Sequence, residues 1–289
     1  MKPPAFHYEK PSSVDELLDA LTKYGEAGRI LAGGQSLVPM MNFRLVAPDV
    51  LIDINGLSEL DYVRREGDTL RIGALTRHST LRGSALVAEL CPLMAEAYQH
   101  VAHVTIRNRG TIGGNLSHAD PSSEMPAVCV CLESTMIVRG KNATREVPAG
   151  EFFRGALETA LKADEFLAEI GIPVRKPGAG SAFEEVSPRQ GDFATTAIAV
   201  SLQVDSGVCR SARIAHAAVA DRPARIESAE AVLVGSALDD AHISEAAERA
   251  AADVEPTVIN YHGDADYKRD LLRTLTRRAL HRAHENCAA

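Results

Sequence analysis

Two glycine pairs, each preceded by an apolar residue, are the positions in this chain best suited to bind an anion. The pairs are Gly33-Gly34 and Gly113-Gly114. Glycine has no Cβ, so backbone N–H groups there can approach an anion closely. Two such loops indicate a diphosphate held from two sides, although either pair alone would also fit an ordinary tight turn. Neither pair matches the P-loop or the Rossmann fingerprint, so both of those phosphate-binding motifs are excluded.

Glu124, which follows the second glycine pair closely, is the acidic residue best placed to complete such a site. A carboxylate at this position could accept hydrogen bonds from the hydroxyls of a sugar or polyol. It would equally fit the solvated surface of a loop. The residue type alone leaves both interpretations open.

The remaining residues with metal-binding or hydrolytic chemistry are scattered. His100 lies near His103, and His118 lies near Asp120, but no third and fourth ligands follow at a suitable spacing. The chain also has no G-x-S-x-G elbow for a nucleophilic serine. We therefore predict no metal site and no hydrolase triad.

Composition excludes further classes of protein. The 289 residues carry a formal net charge of −8, whereas faces that bind nucleic acid need clustered Lys and Arg. We expect no nucleic-acid partner. The first residues lack the apolar segment of a secretory signal, and no window of about 18 apolar residues is present to span a membrane.

The five cysteines form no C-x-x-C pair. We interpret them as reduced, buried thiols of a cytoplasmic protein. Cys129 and Cys131 are two positions apart in an apolar run, so on a strand they would share one face. An iron–sulfur cluster needs four thiolates at ligand spacing, and this chain does not supply them.

The elements expected around the first glycine pair form a small β-α-β-β unit over residues 1–55. Strands are predicted near residues 6–8, 29–32 and 50–54, with an amphipathic helix beginning at Val14. The second strand leads directly into the first glycine pair.

The second glycine pair lies in a longer segment, residues 56–176. This segment is expected to contain hairpins at 62–73 and from residue 135, helices at 81–90 and 92–101, and an alternating strand at 166–173. The second pair follows the last of these helices.

The C-terminal part begins with the best linker candidate, residues 177–181. Strands are expected at 182–186, 194–204 and 211–219, followed by helices at 227–234, 243–252 and 266–284. In the last helix, we expect the apolar stripe to comprise Tyr267, Leu271, Leu275 and Ala279. Its basic residues, among them Lys268 and Arg282, fit a solvated face or a charged subunit contact.

Both glycine pairs lie in longer motifs that resemble those of the FAD-binding subunits of molybdenum hydroxylases. The first motif runs from Ala32 to Leu37, with Asn42-Phe43-Arg44-Leu45 behind it, and the second runs from Arg107 to Pro121. The resemblance extends over essentially the whole chain. It includes Gly191-Asp192-Phe193-Ala194 and Asn260-Tyr261-His262-Gly263-Asp264. The family contains medium subunits of carbon monoxide dehydrogenases and N-heterocycle hydroxylases, and the flavin domain of xanthine dehydrogenases.

The resemblance implies an α+β fold of the vanillyl-alcohol-oxidase (PCMH) type. Two N-terminal α/β subdomains, residues 1–55 and 56–176, would hold FAD between them. Residues 177–289 would form a C-terminal domain of a sheet with helices, like that of carbon monoxide dehydrogenase flavoproteins.

By resemblance, main-chain N–H groups of both motifs would hold the diphosphate of FAD, and Ser36 and Asn115 would add side-chain donors. Glu124 matches an acid that binds ribityl or sugar hydroxyls, Leu167 an apolar flavin contact, and Phe193 an aromatic beside the isoalloxazine ring. The resemblance thus implies these cofactor-binding residues: Ala32, Gly33, Gly34, Gln35, Ser36, Leu37, Thr111, Ile112, Gly113, Gly114, Asn115, Glu124, Leu167 and Phe193. It implies no catalytic acid, base or nucleophile in this chain.

The implied function is electron transfer within an oxidoreductase. FAD would take electrons from [2Fe-2S] clusters on a small subunit, supplied by a molybdenum cofactor on a large subunit, and pass them to an external acceptor. The family suggests a dimer of three-chain units. Two alternatives are a stand-alone flavin oxidase or reductase of the same superfamily and a scaffold subunit that has lost its cofactor.

Two positions depart from relatives of the family. Phe193 stands where some relatives carry a tyrosine, so stacking on the flavin is retained and a hydroxyl is lost. Glu184 aligns with a lysine that some relatives place near the ring. A carboxylate there would disfavour an anionic reduced flavin, and a lysine would favour it.

Overall fold

A computed structural model of the chain describes residues 2–257 and 263–287. Three larger β-sheets follow one another along the sequence, and a two-stranded sheet lies within the second part of the chain. Helices pack on each of the three larger sheets, and helices of the second part also pack against the third sheet. The three larger sheets fall within the segments 1–55, 56–176 and 177–289, whose division into domains stays a prediction. Residues 260–262, part of the resemblance in the C-terminal region, lie outside the described residues.

The first sheet is small and parallel. Its elements are β1 His7–Glu9, α1 Val14–Tyr24, a 3-10 turn at Gly25–Ala27, β2 Gly28–Leu31, α2 Leu37–Asn42 and β3 Val50–Asp53. The strand order is β1-β3-β2, and the central β3 buries Val50, Leu51 and Ile52. The three predicted strands and α1 are confirmed, but α2 was not predicted. Its six residues begin directly behind the first glycine motif.

The second sheet is antiparallel, with strand order β4-β5-β10-β6-β7. The elements of this part of the chain, after a 3-10 turn at Ser58–Leu60, are β4 Val63–Glu66, β5 Thr69–Gly73, α3 His78–Arg82, α4 Ala85–Leu90, α5 Pro92–Ala97, α6 Val104–Arg107, α7 Ile112–His118, α8 Glu124–Cys131, β6 Thr135–Gly140, β7 Thr144–Pro148, α9 Ala149–Phe152, β8 Phe153–Gly155, β9 Glu158–Thr159 and β10 Glu165–Pro173. Both predicted hairpins and the alternating strand are confirmed. β10 inserts between β5 and β6, pairing Ile170 with Ile72 and with Met136.

The third sheet is antiparallel, with strand order β11-β12-β13-β14. Its elements are β11 Ala179–Val186, β12 Thr196–Asp205, β13 Val208–Ala217, β14 Ala224–Arg225, α10 Glu227–Leu233, α11 Asp240–Asp253 and α12 Ala265–Cys287. The predicted strands and helices of this part are confirmed. The linker is shorter than predicted, since β11 already begins at Ala179. Among the helices of the described residues, none combines the length and apolarity needed to cross a membrane.

The apolar run that contains Cys129 and Cys131 is a helix, α8, and the expectation of a strand was wrong. Every residue of α8 is buried. A helix that is apolar all round has no periodicity, so its sequence cannot be told from that of a buried strand. The expected burial of both thiols is confirmed.

The buried face of α12 also differs from the predicted stripe. Tyr267 is 46% exposed, whereas the buried residues are Lys268, Leu272, Leu275, Thr276, Ala279, Leu280 and Ala283. Lys268 does not decorate a basic face, because its Nζ donates a hydrogen bond to the carbonyl of Ala218. The predicted burial of Leu275 and Ala279 is confirmed, whereas Lys268 and Leu272 are buried in place of Tyr267 and Leu271.

Candidate functional site

The two glycine motifs, distant in sequence, meet backbone to backbone. A Cβ placed on Gly33 would lie 2.4 Å from the carbonyl oxygen of Arg109 and 2.7 Å from Cα of Gly110. A Cβ on Gly114 would lie 3.9 Å from that of Ala32. The absence of a side chain at position 33 is thus what lets the first motif lie directly against the second.

The first motif is an open turn between β2 and α2. Gly34 has a φ of +71°, a conformation that glycine adopts without strain. Within the described part of the chain, the N–H groups of residues 33–37 have no hydrogen-bond acceptor. Ser36 precedes α2 but makes no capping hydrogen bond. Five consecutive amides and one hydroxyl are therefore available as donors to an anion.

The glycine pair of the second motif lies in the first turn of α7 rather than in an open loop. The N–H groups of residues 112–115 already donate within the protein, to Thr76 O, Ala74 O, Thr111 Oγ1 and Thr111 O. Gly113 is required for close packing, since a Cβ there would lie 2.4 Å from that of Ala74. This motif differs from the expected anion loop, and its glycines serve the contact between α7 and its neighbours.

Replacing Thr111 with valine should lower the free energy of unfolding by about 1 kcal/mol, the usual cost of losing an N-cap. The hydroxyl oxygen of Thr111 accepts the N–H of Gly114 at 3.1 Å, and valine has nearly the same shape without that oxygen. Thr111→Ser keeps the oxygen and should remain close to the parent. Urea denaturation of both variants checks this, and equal midpoints would contradict the capping role.

Asn55 and Arg77 connect the backbones of the two motifs through side-chain hydrogen bonds. The Asn55 side-chain amide donates to Ala32 O at 2.7 Å, and its oxygen accepts from Nη2 of Arg77 at 2.7 Å. Nη1 of Arg77 donates to the carbonyl of Arg109. Oδ1 of Asp53 accepts hydrogen bonds from the backbone N–H and from Nδ2 of Asn55, and so orients the Asn55 side chain. These side chains hold the backbone of one motif at a set distance from the other.

A pocket of ≈ 420 Å³ opens beside the first motif. It is lined by Leu31, Ala32, Gly33, Gly34, Gln35, Val38, Pro39, Asp53, Asn55 and Arg109. Arg77 is half-buried, and its pKa is lowered by burial and by the neighbouring charge of Arg109. Neither arginine forms an ion pair with any described residue. Arg109 and five free amides thus meet at this pocket, and Arg77 donates to the Arg109 carbonyl.

Hydrogen-bond acceptors lie in α7 and at the start of α8. Nδ2 of Asn115 donates to Ser123 Oγ at 2.9 Å, while its Oδ1 is buried and has no donor. Asn115 therefore offers an acceptor, not the side-chain donor that we expected. Glu124 is 5% exposed, which excludes the solvated-acid alternative. Burial, and then the nearby Glu185 and Asp120, raise the pKa of Glu124 to about 8.

The residues expected beside the flavin ring lie in different settings. Leu167 is buried in β10 at a bulge. Phe193 is 56% exposed and lies in the turn before β12, where its ring is open to a stacking partner. Glu184 is paired with Arg282, which also contacts Glu96. The guanidinium offsets the carboxylate that we expected to disfavour an anionic reduced flavin.

Sequence reasoning missed Asn55, Arg77 and Glu185. Two consecutive glutamates in β11 were a usable signal, because side chains alternate across a strand and one of the pair had to face inward. Arg77 carried no signal, since its partners are one backbone carbonyl, that of Arg109, and the side-chain amide of Asn55, both far away in sequence. Within the described residues, no group of three or more His, Cys, Asp or Glu side chains is arranged to hold a metal ion.

Comparison with known protein families gives two matches. Residues 4–175 match a family described as the FAD binding domain in molybdopterin dehydrogenase. Residues 181–283 match the CO dehydrogenase flavoprotein C-terminal domain. The first match contains both glycine motifs and Glu124, and the second contains Phe193.

Individual relatives agree with these families. The chain is 39% identical to the carbon monoxide dehydrogenase medium chain of Hydrogenophaga pseudoflava over the full length of both proteins. It is 44% identical to caffeine dehydrogenase subunit beta of Pseudomonas sp. (strain CBB1), covering 81% of this chain and 80% of that one. The structure superposes on carbon monoxide dehydrogenase from Hydrogenophaga pseudoflava with a TM-score of 0.97 at 40% identity, covering 99% of this chain and 100% of the other. The expected α+β fold with a PCMH-type FAD-binding part is confirmed.

Proposed function

Since the chain belongs to the family of FAD-binding components of molybdopterin dehydrogenases, we propose that it is the subunit that passes electrons through FAD in a molybdenum hydroxylase. The chain is a component of an oxidoreductase, and its cofactor is FAD. The electron route, the partner subunits and the individual binding residues are the parts that we propose.

The observation that supports the binding site most strongly is that hydrogen-bond donors lie at one end of it and acceptors at the other. Five free amides and Arg109 lie at the first motif, whereas the buried Oδ1 of Asn115 in α7 has no donor and the buried Glu124 lies at the start of α8. FAD has the complementary arrangement, since its diphosphate needs donors and positive charge and its ribityl and ribose hydroxyls need acceptors. The residues present therefore fit this cofactor.

We assign three roles to the binding residues. Residues 32–37 bind the diphosphate through their N–H groups and Ser36. Residues 111–115 form the opposing wall, with Asn115 accepting a hydroxyl. Glu124 accepts a second hydroxyl, while Leu167 and Phe193 contact the flavin ring. None of these residues acts as an acid, base or nucleophile, because their task is to hold and orient the cofactor.

When bound, FAD would accept electrons from [2Fe-2S] clusters of a small subunit and deliver them to an external acceptor. A large subunit would hold the molybdenum cofactor and the substrate, and we propose a dimer of three-chain units. All five cysteines of this chain are free thiols, four of them buried. This supports cluster binding on another chain and a reducing, cytoplasmic location. Substrates named for the relatives differ, so the substrate of this complex follows from the large subunit.

The experiment that tests this proposal is a spectrum of the full chain, co-expressed with the genes that neighbour its own. We expect flavin absorbance bands in the purified protein and FAD in the supernatant after heat denaturation. Release is expected because no covalent link is part of the proposed site.

Two other results would favour a different function or contradict the proposed one. A flavin that stays with the precipitated protein would favour the stand-alone oxidase. A colourless protein that also fails to take up added FAD would contradict the proposed function. In the assembled complex, substrate should bleach the flavin bands, and a flavin that remains oxidised would contradict the electron route.

A further inference from the structure

Residues 74–78 connect two parts of the proposed site, the second glycine motif and the bulge of β10 that carries Leu167. Three backbone hydrogen bonds join this segment to the motif: Gly113 N to Ala74 O at 2.9 Å, Ile112 N to Thr76 O at 3.0 Å and His78 N to Gly110 O at 3.1 Å. The pairing is antiparallel. The segment therefore holds the second motif much as one strand of a sheet holds its neighbour.

The same segment is held to β10 by two connections. The first is direct, since Ala74 donates its N–H to the carbonyl of Ala168, the extra residue of the bulge. The second runs through Tyr62. The hydroxyl of the buried Thr76 donates to the carbonyl of Tyr62 at 2.9 Å and accepts its N–H at 3.1 Å. The hydroxyl of Tyr62 in turn donates to Oε2 of Glu169, the residue after the bulge, at 2.5 Å.

Glu169 is also held from its other carboxylate oxygen. Its Oε1 accepts a hydrogen bond from Nη1 of Arg71 at 2.9 Å. The guanidinium of Arg64 lies over the Tyr62 ring, 4.6 Å from its centroid. Burial, and then the hydrogen bond to Glu169, raise the pKa of the Tyr62 hydroxyl, so this group stays a donor at neutral pH. A hydrogen bond to a carboxylate is stronger than one between neutral groups.

We propose that Thr76 and Tyr62 are positioning residues that set the distance between the second glycine motif, which we assign to the diphosphate, and Leu167, which we assign to the flavin ring. This inference rests on the proposed function, because it adds two residues to the same FAD site. Neither residue contacts the cofactor. Thr76 acts through the backbone of the second motif, and Tyr62 acts through Glu169 beside the bulge of β10.

This role predicts a loss of affinity that is selective for FAD. The distance between the two glycine motifs is set by other contacts, those of Asn55 and Arg77. ADP contains the diphosphate but lacks the flavin, so its binding should not depend on Thr76, whereas FAD also reaches Leu167. Thr76→Val keeps the side-chain shape and removes both hydrogen bonds to Tyr62. It should raise the dissociation constant for FAD about tenfold and leave that for ADP within about twofold of the parent.

The test uses the full chain stripped of flavin, with a fluorescence titration for FAD and a calorimetric titration for ADP. Thr76→Ser keeps the hydroxyl and should restore the FAD affinity. Tyr62→Phe removes only the hydrogen bond to Glu169 and should show the same selectivity for FAD. It provides a second reading if Thr76→Val folds poorly.

Three further variants serve as controls. Thr276→Val makes the same change at a buried threonine of α12 whose hydroxyl has no hydrogen-bond partner among the described residues. Tyr24→Phe makes the same change at a tyrosine that also donates to a glutamate, Glu9, at 2.6 Å. Both should bind FAD and ADP as the parent does. Arg77→Met, which alters the contact between the two motifs, should weaken the binding of both ligands.

The outcomes distinguish the positioning role from the proposed function. Loss of FAD affinity alone in Thr76→Val, restored in Thr76→Ser, supports both. Equal loss for FAD and ADP, or no loss for either, would overturn the positioning role and leave the proposed function standing. Parent protein that fails to bind FAD would overturn the proposed function, and the positioning role with it.

A second measurement decides the case of a parent that binds FAD but not ADP. The visible spectrum of bound FAD responds to the surroundings of the flavin ring. A spectrum that shifts in Thr76→Val and returns in Thr76→Ser would support the positioning role. A spectrum identical in the parent and in Thr76→Val would overturn it.

Discussion

Gly33→Ala is expected to raise the dissociation constant for FAD by about 100-fold. The new Cβ would lie 2.4 Å from the carbonyl oxygen of Arg109 and 2.7 Å from Cα of Gly110. Both are backbone atoms, so no side chain can rotate away, and overpacking of this kind costs about 3 kcal/mol. Gly33 does not have a positive φ, so alanine fits its backbone conformation. The effect would come from pushing the two motifs apart.

The matched control is Gly150→Ala in α9, where a Cβ would have no neighbour within 4 Å. Its FAD affinity should equal that of the parent. Flavin content after gel filtration and a fluorescence titration measure the effect, and urea unfolding without flavin measures the fold separately. Parent-like affinity in Gly33→Ala would show that the contact between the motifs does not set the geometry of the cofactor site.

Arg77→Met should weaken FAD binding by about 100-fold and make the remaining binding less sensitive to salt. Methionine keeps much of the side-chain volume but loses the hydrogen bonds to the Arg109 carbonyl and to Asn55. Hydrogen bonds that involve a charged group contribute about 1.5–3 kcal/mol each. The lost positive charge removes a screened attraction for the diphosphate, so the affinity should depend less on ionic strength.

Two further variants separate geometry from charge. Arg77→Lys keeps the charge but cannot reproduce the planar fork that bridges two acceptors, and it should retain the salt dependence with intermediate affinity. Arg154→Met, at an exposed arginine of β8, should behave like the parent. If Arg77→Lys and Arg77→Met lost affinity equally with unchanged salt dependence, the charge of Arg77 would have no part in binding.

Much of the fold was predictable because local patterns and tertiary packing agree. The amphipathic spacing that begins at Val14, the two hairpins and the long strands of the third sheet all reappear in the structure. The failures have physical causes. α8 is buried on every side, so it shows no helical period, and α2 is too short to show one. In α12, Lys268 lies on the buried face, which hydrophobicity could not indicate.

The sequence allows residues of the candidate site to be proposed, but it does not indicate their hydrogen bonds. Glycine pairs indicate where the backbone can approach a ligand, but not which N–H groups remain free. In the second motif those groups are used within the protein, and in the first they are open. The direction of the Asn115 amide depends on Ser123, and Glu124 is buried at the start of a helix, α8, that packs against β12 and β13. Such contacts between distant segments leave no local pattern.

The position of β10 in the second sheet determines when the cofactor site can form during synthesis. Ala74 donates its N–H to the carbonyl of Ala168 at the bulge of β10, and its own carbonyl accepts the N–H of Gly113. Residues far beyond both glycine motifs must therefore be synthesised before β10 can hold Ala74, and with it the second motif, in place. Pairing over such sequence separations is slow, so the nascent N-terminal half has no finished site for FAD. Cofactor capture becomes a late step of folding, and a shortage of FAD would leave a nearly complete chain with its amides exposed.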